Sequence, residues 1–430
     1  MKKYFYKDLS EKKKKALLKR PSINLKKAFK TVRPILNEVK EKGLSSAIKY
    51  AKQFEGFKGK KLLVSEEEFA EAARQLAGSS EIKKAIETAA ENIRRFHLKQ
   101  LPESYELETM PGVKCSREFR AIENVGLYIP GGTAVLPSTM LMLGIPARIA
   151  GCRRIIVCSP SKDGKINAPL LYAAKLCGVS EFYKIGGAQA IALMAYGDKT
   201  IPKVDKIFGP GNQYVTAAKL LISIDTDGCV IDMPAGPSEV LIIADENADA
   251  SFVAADLLSQ AEHGVDSQVV LISTSETLAD AVKEEVYRQV ESLPRKKFAL
   301  KAIENSFILI TDNLDEAFNF SNMYAPEHLI LHLNDAEKYK QNIINAGSVF
   351  LGYYSPESAG DYASGANHSL PTYGYARSLG GVTVESFLKS MTFQQLTKEG
   401  LKNISSTVET LAEVEGLNAH KKAVTIRLKD

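Results

Sequence analysis

Two hydrophobic periodicities divide the chain. Through the first hundred or so residues apolar positions recur at helical spacing. Ile82, Ala85, Ile86, Ala89, Ala90 and Ile93 share one face of a predicted helix. Ser65-Glu66-Glu67-Glu68 opens another, because a serine hydroxyl and a carboxylate three residues on can satisfy each other's backbone amides. The run that follows, 69–76, ends at Gly78. His97, near the end of its helix, reads as a surface or capping histidine.

From about residue 120 the pattern shortens. β-rich runs at 125–129, 154–158, 181–185, 206–208 and 240–244 alternate with helical runs near 138–150, 167–177, 188–197 and 211–222. A second set of strands follows at 268–272, 306–311, 328–332 and 348–351. Strand–helix alternation at this spacing predicts parallel sheets with right-handed crossovers. The predicted fold is α/β: two doubly wound, Rossmann-like parallel-sheet domains with small helical N- and C-terminal segments. The boundaries are 1–25 for the N-terminal helical segment, 26–128 with 239–381 for the first α/β domain, 129–238 for the second, and 382–430 for the tail, helical after about 384.

Composition narrows the class. At 430 residues the chain suggests two or three domains, and 45% hydrophobic with 25% charged residues is ordinary for a globular protein. The most apolar stretch, 134–150, is broken by Pro137, Pro146 and Arg148, which argues against a membrane span. The N-terminus reaches Asp8 and Glu11 without an apolar core, so no secretory signal is expected. A net charge of +5 is mild, and the basic run 12–15 reads as a solvated helix face, not a nucleic-acid contact. Five cysteines (Cys115, Cys152, Cys158, Cys177, Cys229) without a C-x-x-C pair point to reduced thiols and a cytoplasmic protein.

The candidate chemistry gathers at turns. The G-x-G-x-x-G fingerprint is absent, but three other Gly-rich segments each follow a predicted strand and precede a helix: Tyr128-Ile129-Pro130-Gly131-Gly132, Gly186-Gly187-Ala188-Gln189-Ala190 and Gly209-Pro210-Gly211-Asn212-Gln213. Glycines there admit a ligand close to the backbone, and strand carboxyl ends hold ligands in parallel sheets. Of six histidines, His263 and His328 each directly follow a glutamate. Gln260 and His263 are three apart at a predicted helix end (251–262), a spacing that puts two side chains on one face. In Pro326-Glu327-His328, neighbouring strand residues would point apart unless this is a strand start, which Pro326 favours. A neutral imidazole such as His328 suits proton removal from an alcohol. Cys115 and Cys152 have no partner to lower their pKa for thiol chemistry. Taken alone, these residues also suit a zinc hydrolase or a metal-binding module.

Gln260-Ala261-Glu262-His263-Gly264, Pro326-Glu327-His328 and the segment 359–368, with Asp361, resemble the active-site motifs of the histidinol dehydrogenase family, and the resemblance runs from roughly residue 25 to 425. It implies four-electron oxidation of L-histidinol through bound L-histidinal to L-histidine, in histidine biosynthesis, with two NAD and a zinc ion. It implies Gln260, His263, Asp361 and His420 as zinc ligands, His328 as acid and base, and Glu327 as activator of water. It implies Tyr128, Gln189 and Asn212 as NAD contacts on the 129–238 side. Substrate contacts would be Ser238, Gln260, His263, His328, Asp361, Glu415 and His420. Glu415 and His420 would come from the tail of the partner in a homodimer. His332 and His368 are expected to be non-ligands, with a supporting role open to His368. A family dehydrogenase for another small polar alcohol and a zinc hydrolase remain the alternatives.

Overall fold

The computed structural model describes the chain except residues 22–24, 60, 132–135, 180, 235 and 430. Gly132, Ala134 and Val135, which fall in segments singled out above, lie outside the described residues. Three sheets are present among the described residues. Two are parallel, as the strand–helix alternation predicts.

The six-stranded sheet has the order Lys2–Phe5, Phe307–Ile310, Gln268–Ser273, Glu239–Ala244, His328–His332, Ser348–Leu351. Its central strand Glu239–Ala244 is buried at every position, because helices cover both faces and a near-continuous apolar run is what such a strand needs. Val240 and Ile242 face the helices Ala250–Ala261, Glu276–Gln289 and Lys296–Glu304. Leu241 and Ile243 face the helix Leu314–Tyr324 and Leu17 of the N-terminal segment.

The five-stranded sheet runs Glu181–Tyr183, Arg154–Cys158, Asn124–Tyr128, Lys206–Phe208, Val230–Ile231. Here the packing corrects the expected boundaries. Residues 26–98 do not join the 239–381 sheet. Leu25–Lys42 and Leu44–Glu55 pack on the helices Gly187–Tyr196 and Gln213–Ser223 over one face of the five-stranded sheet, and Glu66–Ala77 and Ser80–Leu98 pack on Pro137–Ala150 and Ala168–Leu176 over the other. Asn124–Tyr128, also assigned to the first domain, is this sheet's central strand. Conversely, residues 1–25 are not only helical: Lys2–Phe5 adds a parallel edge strand to the six-stranded sheet. The capping box forms as read, with the Ser65 hydroxyl accepting from Glu68 N and the Glu68 carboxylate accepting from Ser65 N.

The tail departs from its helical prediction at Leu388–Leu396, which pairs antiparallel with Val113–Ala121, itself paired with Tyr105–Met110. The helices Lys398–Val414 and Asn418–Thr425 follow. His97 is likewise corrected. It is fully buried, with Nδ1 2.8 Å from the Ile93 carbonyl and Nε2 3.3 Å from the Asn367 amide, which also donates to the Met142 carbonyl. No helix among the described residues is long and apolar enough to cross a membrane.

Candidate active site

A cleft of about 400 Å³ opens between the two parallel sheets, and the sheets meet it with opposite ends. The five-stranded sheet contributes the turns after its strands: Pro130, Pro210-Gly211-Asn212 and Asp232-Met233. The six-stranded sheet contributes the residues that begin its strands: Ser238 before Glu239–Ala244, Ser267 before Gln268–Ser273, and Glu327 before His328–His332. Gln260 and His263 enter from the C-terminal end of the helix Ala250–Ala261, and Asp361 from the short helix Glu357–Tyr362.

The turn before His328 is shaped by its sequence. Ala325 sits at φ 53°, ending the helix Leu314–Tyr324, and Pro326 follows. The strand starts at His328, so Glu327 and His328 both reach the cleft. Buried Glu327 accepts a hydrogen bond from Glu239 N at 2.9 Å, and its Oε2 is 3.6 Å from His328 Nδ1. His328 Nδ1 lies 2.8 Å from Gln260 Nε2 and 3.2 Å from the Glu239 carbonyl. As the amide stands, Nδ1 accepts from Gln260 and Nε2 carries the proton; the other tautomer, with Nδ1–H donated to the Glu239 carbonyl and Nε2 free, requires the Gln260 amide to turn its N–H away. His328 Nε2 has no hydrogen-bond partner and is 3.8 Å from Asp361 Oδ1.

Three buried polar atoms around this point are orphaned: His328 Nε2, Gln260 Oε1 and Glu357 Oε2. Buried polar groups are almost always partnered, so such a cluster points to a missing ligand or ion. Donor atoms of His263, Glu357 and Asp361 lie within 4.8 Å of one another. The carboxyls here are short of positive charge. Burial, then the neighbouring carboxylates, pushes Glu327 and Glu357 well above the usual range, and burial lifts Asp361 to about 7. Burial lowers His328 to about 3, keeping the imidazole neutral. His263 stands exposed at the mouth, and dehydration by the cleft wall, then the Arg295 charge, lower its pKa. Two oxygens, an imidazole and an amide oxygen are a donor set that fits a divalent cation such as zinc, manganese or cobalt.

Other candidates fall elsewhere. Asn212 lines the cleft and caps the helix Gln213–Ser223, its side chain accepting from Tyr214 N and Val215 N. Tyr128, at the end of the strand Asn124–Tyr128, and Gln189, on the helix Gly187–Tyr196, are buried outside the cleft lining. The Tyr128 hydroxyl accepts from Gly187 N, and the Gln189 amide donates to Glu55 at 2.6 Å. Glu415 and His420 are exposed on the tail and do not line the cleft of their own chain. His332 is buried against Asp256 at 2.8 Å, and His368 bridges the Asp361 carbonyl and the Thr139 hydroxyl, each at 3.1 Å.

Two contributors escaped the sequence. Glu357 shares a face with Asp361 at i, i+4 on one helix, a spacing visible in the chain. Arg20 is the other. Its guanidinium, 6% exposed, clamps Glu239, 1% exposed, through bonds of 2.6 and 3.0 Å, and also donates to the Tyr324 and Ala325 carbonyls. It thereby fixes both the strand start that holds Glu327 and the turn that presents His328.

The family model for histidinol dehydrogenase matches residues 18–428. The chain is 52% identical to the chloroplastic histidinol dehydrogenase of Arabidopsis thaliana over 100% of its own length and 92% of the relative's. It is also 52% identical to the histidinol dehydrogenase of Bacteroides thetaiotaomicron, with 96% of each covered. The crystal structure of histidinol dehydrogenase from Elizabethkingia anophelis superposes with a TM-score of 0.94 at 48% identity, covering 100% of this chain and 98% of that one. A match this long, carrying a cleft with these residues at its centre, makes the chain a member of the histidinol dehydrogenase family and an oxidoreductase.

Proposed function

We propose that the protein oxidises L-histidinol, through L-histidinal kept in the cleft, to L-histidine, passing both hydrides to NAD. The observation that carries this reading is the convergence of the orphaned atoms His328 Nε2, Gln260 Oε1 and Glu357 Oε2 beside Asp361, in a cleft whose other lip is the strand-end edge of a parallel sheet. When bound, NAD takes up hydride and a divalent cation, zinc foremost, anchors the substrate's amine and imidazole. Gln260, His263 and Asp361 would hold that cation, with His420 of the partner subunit. Ser238 and Glu415 of the partner subunit would complete the substrate's surroundings, making a homodimer the working unit. Asn212, with Tyr128 and Gln189, would meet NAD.

His328 does the proton work. With Nδ1–H donated to the Glu239 carbonyl and the Gln260 N–H turned away from it, the neutral ring takes the hydroxyl proton at Nε2 as the first hydride leaves, giving the aldehyde. Glu327 then takes a proton from water as the oxygen adds to that aldehyde. The diol loses its second hydride while His328 again accepts a hydroxyl proton. In sum, one alcohol, one water and two NAD⁺ give one carboxylate, two NADH and three protons. Five free cysteines suit a cytoplasmic enzyme. The test is NADH formed per mole of L-histidinol consumed. Two is expected, and one confines the enzyme to the alcohol step and overturns this reading.

A further inference from the structure

We infer that the buried ion pair Lys219–Asp232 positions the dinucleotide: it holds the turn 209–212 by both backbone polar groups of Gly209 and so sets the affinity for NAD while leaving that for the substrate alone. The inference rests on the reading of the five-stranded lip as the NAD side and adds the residues that shape that lip.

The winding of the five-stranded sheet reverses between Asn124–Tyr128 and Lys206–Phe208, since Arg154–Cys158 lies on one side of this strand pair and Val230–Ile231 on the other. Open parallel sheets take their ligands at such a switch point, beyond the strand ends. Gly209 stands there at φ 122°, and a Cβ on it would strike the Tyr128 carbonyl oxygen. Its N–H donates to Asp232 Oδ2 at 2.8 Å, and its carbonyl accepts from Lys219 Nζ at 2.8 Å. Lys219 also donates to Asp232 Oδ1, which accepts from Met233 N at 2.7 Å as well. Both side chains of the pair are 4% exposed. Lys219 comes from the helix Gln213–Ser223, whose first turn Asn212 caps, so one helix joins the cap to the clamp. Pro210, Gly211, Asn212, Asp232 and Met233 all line the cleft. A displaced Gly209 peptide therefore moves the whole lip. An apolar pair of similar size would fasten the helix to the sheet as well as these charges do. A cation beside an anion does what apolar groups cannot, gripping the carbonyl and the N–H of one residue together.

The test compares wild type, Lys219→Met, and Lys219→Met combined with Asp232→Asn, all as metal-loaded full-length protein. Fluorescence titration gives the Kd of NADH, and initial rates at saturating NAD give the KM of L-histidinol. Both variants are expected to raise the NADH Kd about tenfold or more, the size of loss that a misplaced binding group produces. Both are expected to keep the L-histidinol KM within about twofold of wild type. The double variant buries no unpaired charge, so it reports on the turn even where Lys219→Met alone does not fold. Wild-type NADH affinity in the double variant overturns the inference. So does an equal loss for both ligands, or a double variant that cannot fold, because the pair would then serve the fold itself. Failure of the wild-type protein to bind NADH would instead sink the NAD reading beneath it.

Discussion

Replacing Arg20 with alanine tests how the cleft is held from behind. Arg20 is the counter-charge of Glu239, with side chains 6% and 1% exposed, and its guanidinium also lies 3.5 Å over the Tyr324 ring. Its removal leaves Glu239 buried and unpaired, a change that costs about 3–5 kcal/mol in general. The structure allows an independent figure. The variant's escape is to protonate Glu239, whose ordinary pKa is 4.5 and which burial already holds above that value against the opposing pull of Arg20. At about 1.36 kcal/mol per pH unit, that costs at most roughly 3.4 kcal/mol at pH 7 and roughly 0.7 kcal/mol at pH 5. The sign follows: in the variant the folded-state pKa of Glu239 rises further above its unfolded value, so the added deficit is present at neutral pH and fades as pH falls toward 4.5. The chain has no tryptophan, so urea midpoints by far-UV circular dichroism at fixed protein concentration are the assay. Arg20→Ala is expected to lower the midpoint strongly at pH 7 and less than half as much at pH 5. Arg20→Ala with Glu239→Gln is expected to recover part of the loss at pH 7. A shift independent of pH, or a double variant no better than the single one, refutes the account.

Further outcomes follow from the same residues. Glu327→Gln keeps the Glu239 N–H bond through its amide oxygen but cannot take a proton, so it should convert L-histidinol to L-histidinal and stall; rapid-quench product analysis reads this, and undiminished L-histidine would disprove the role. Cys152, 2% exposed with its thiol pushed up to about 12 by burial, cannot serve as a thiolate, so Cys152→Ala should retain both oxidations; loss of the second alone would revive a covalent thiol route. Burial lifts Asp361 to about 7, so a cation must displace a proton below that pH; calorimetric metal affinity should be level above pH 7 and fall about tenfold or more per unit beneath it, and a flat profile would remove Asp361 from the ligands.

Burial decides which features were readable. The runs at 240–244, 268–272 and 328–332 were plain because both sheet faces are covered and every position is apolar or nearly so. Tyr105–Met110 is exposed throughout, and Leu388–Leu396 nearly so; with no covered face there is no alternation to read. Helices 26–98 announced themselves through their apolar faces, yet amphipathicity does not name the sheet it will meet. Hence the misplaced boundary. Within the cleft, His263 and His328 stood out because histidine is scarce, at six in the chain. Arg20, Glu239 and Glu357 belong to plentiful residue types, and only their enclosure marks them.

The opposed edges of the two sheets give the cleft lips of different electrical character. On the five-stranded side, helix N-termini such as Gln213–Ser223, capped by Asn212, turn backbone N–H groups and the positive end of the helix dipole toward the opening. That lip suits an anionic cofactor. On the six-stranded side the helix Ala250–Ala261 arrives with its C-terminal end, whose negative dipole end favours a cation beside Gln260 and His263. The strand starts on this side add N–H donors, and Glu239 N is the one that fixes the Glu327 carboxylate. The usual rule that parallel sheets bind at strand carboxyl ends thus describes one lip only. Joining two sheets head to tail brings an edge suited to anions and an edge suited to cations to one cleft, where neither sheet's edge alone offers both.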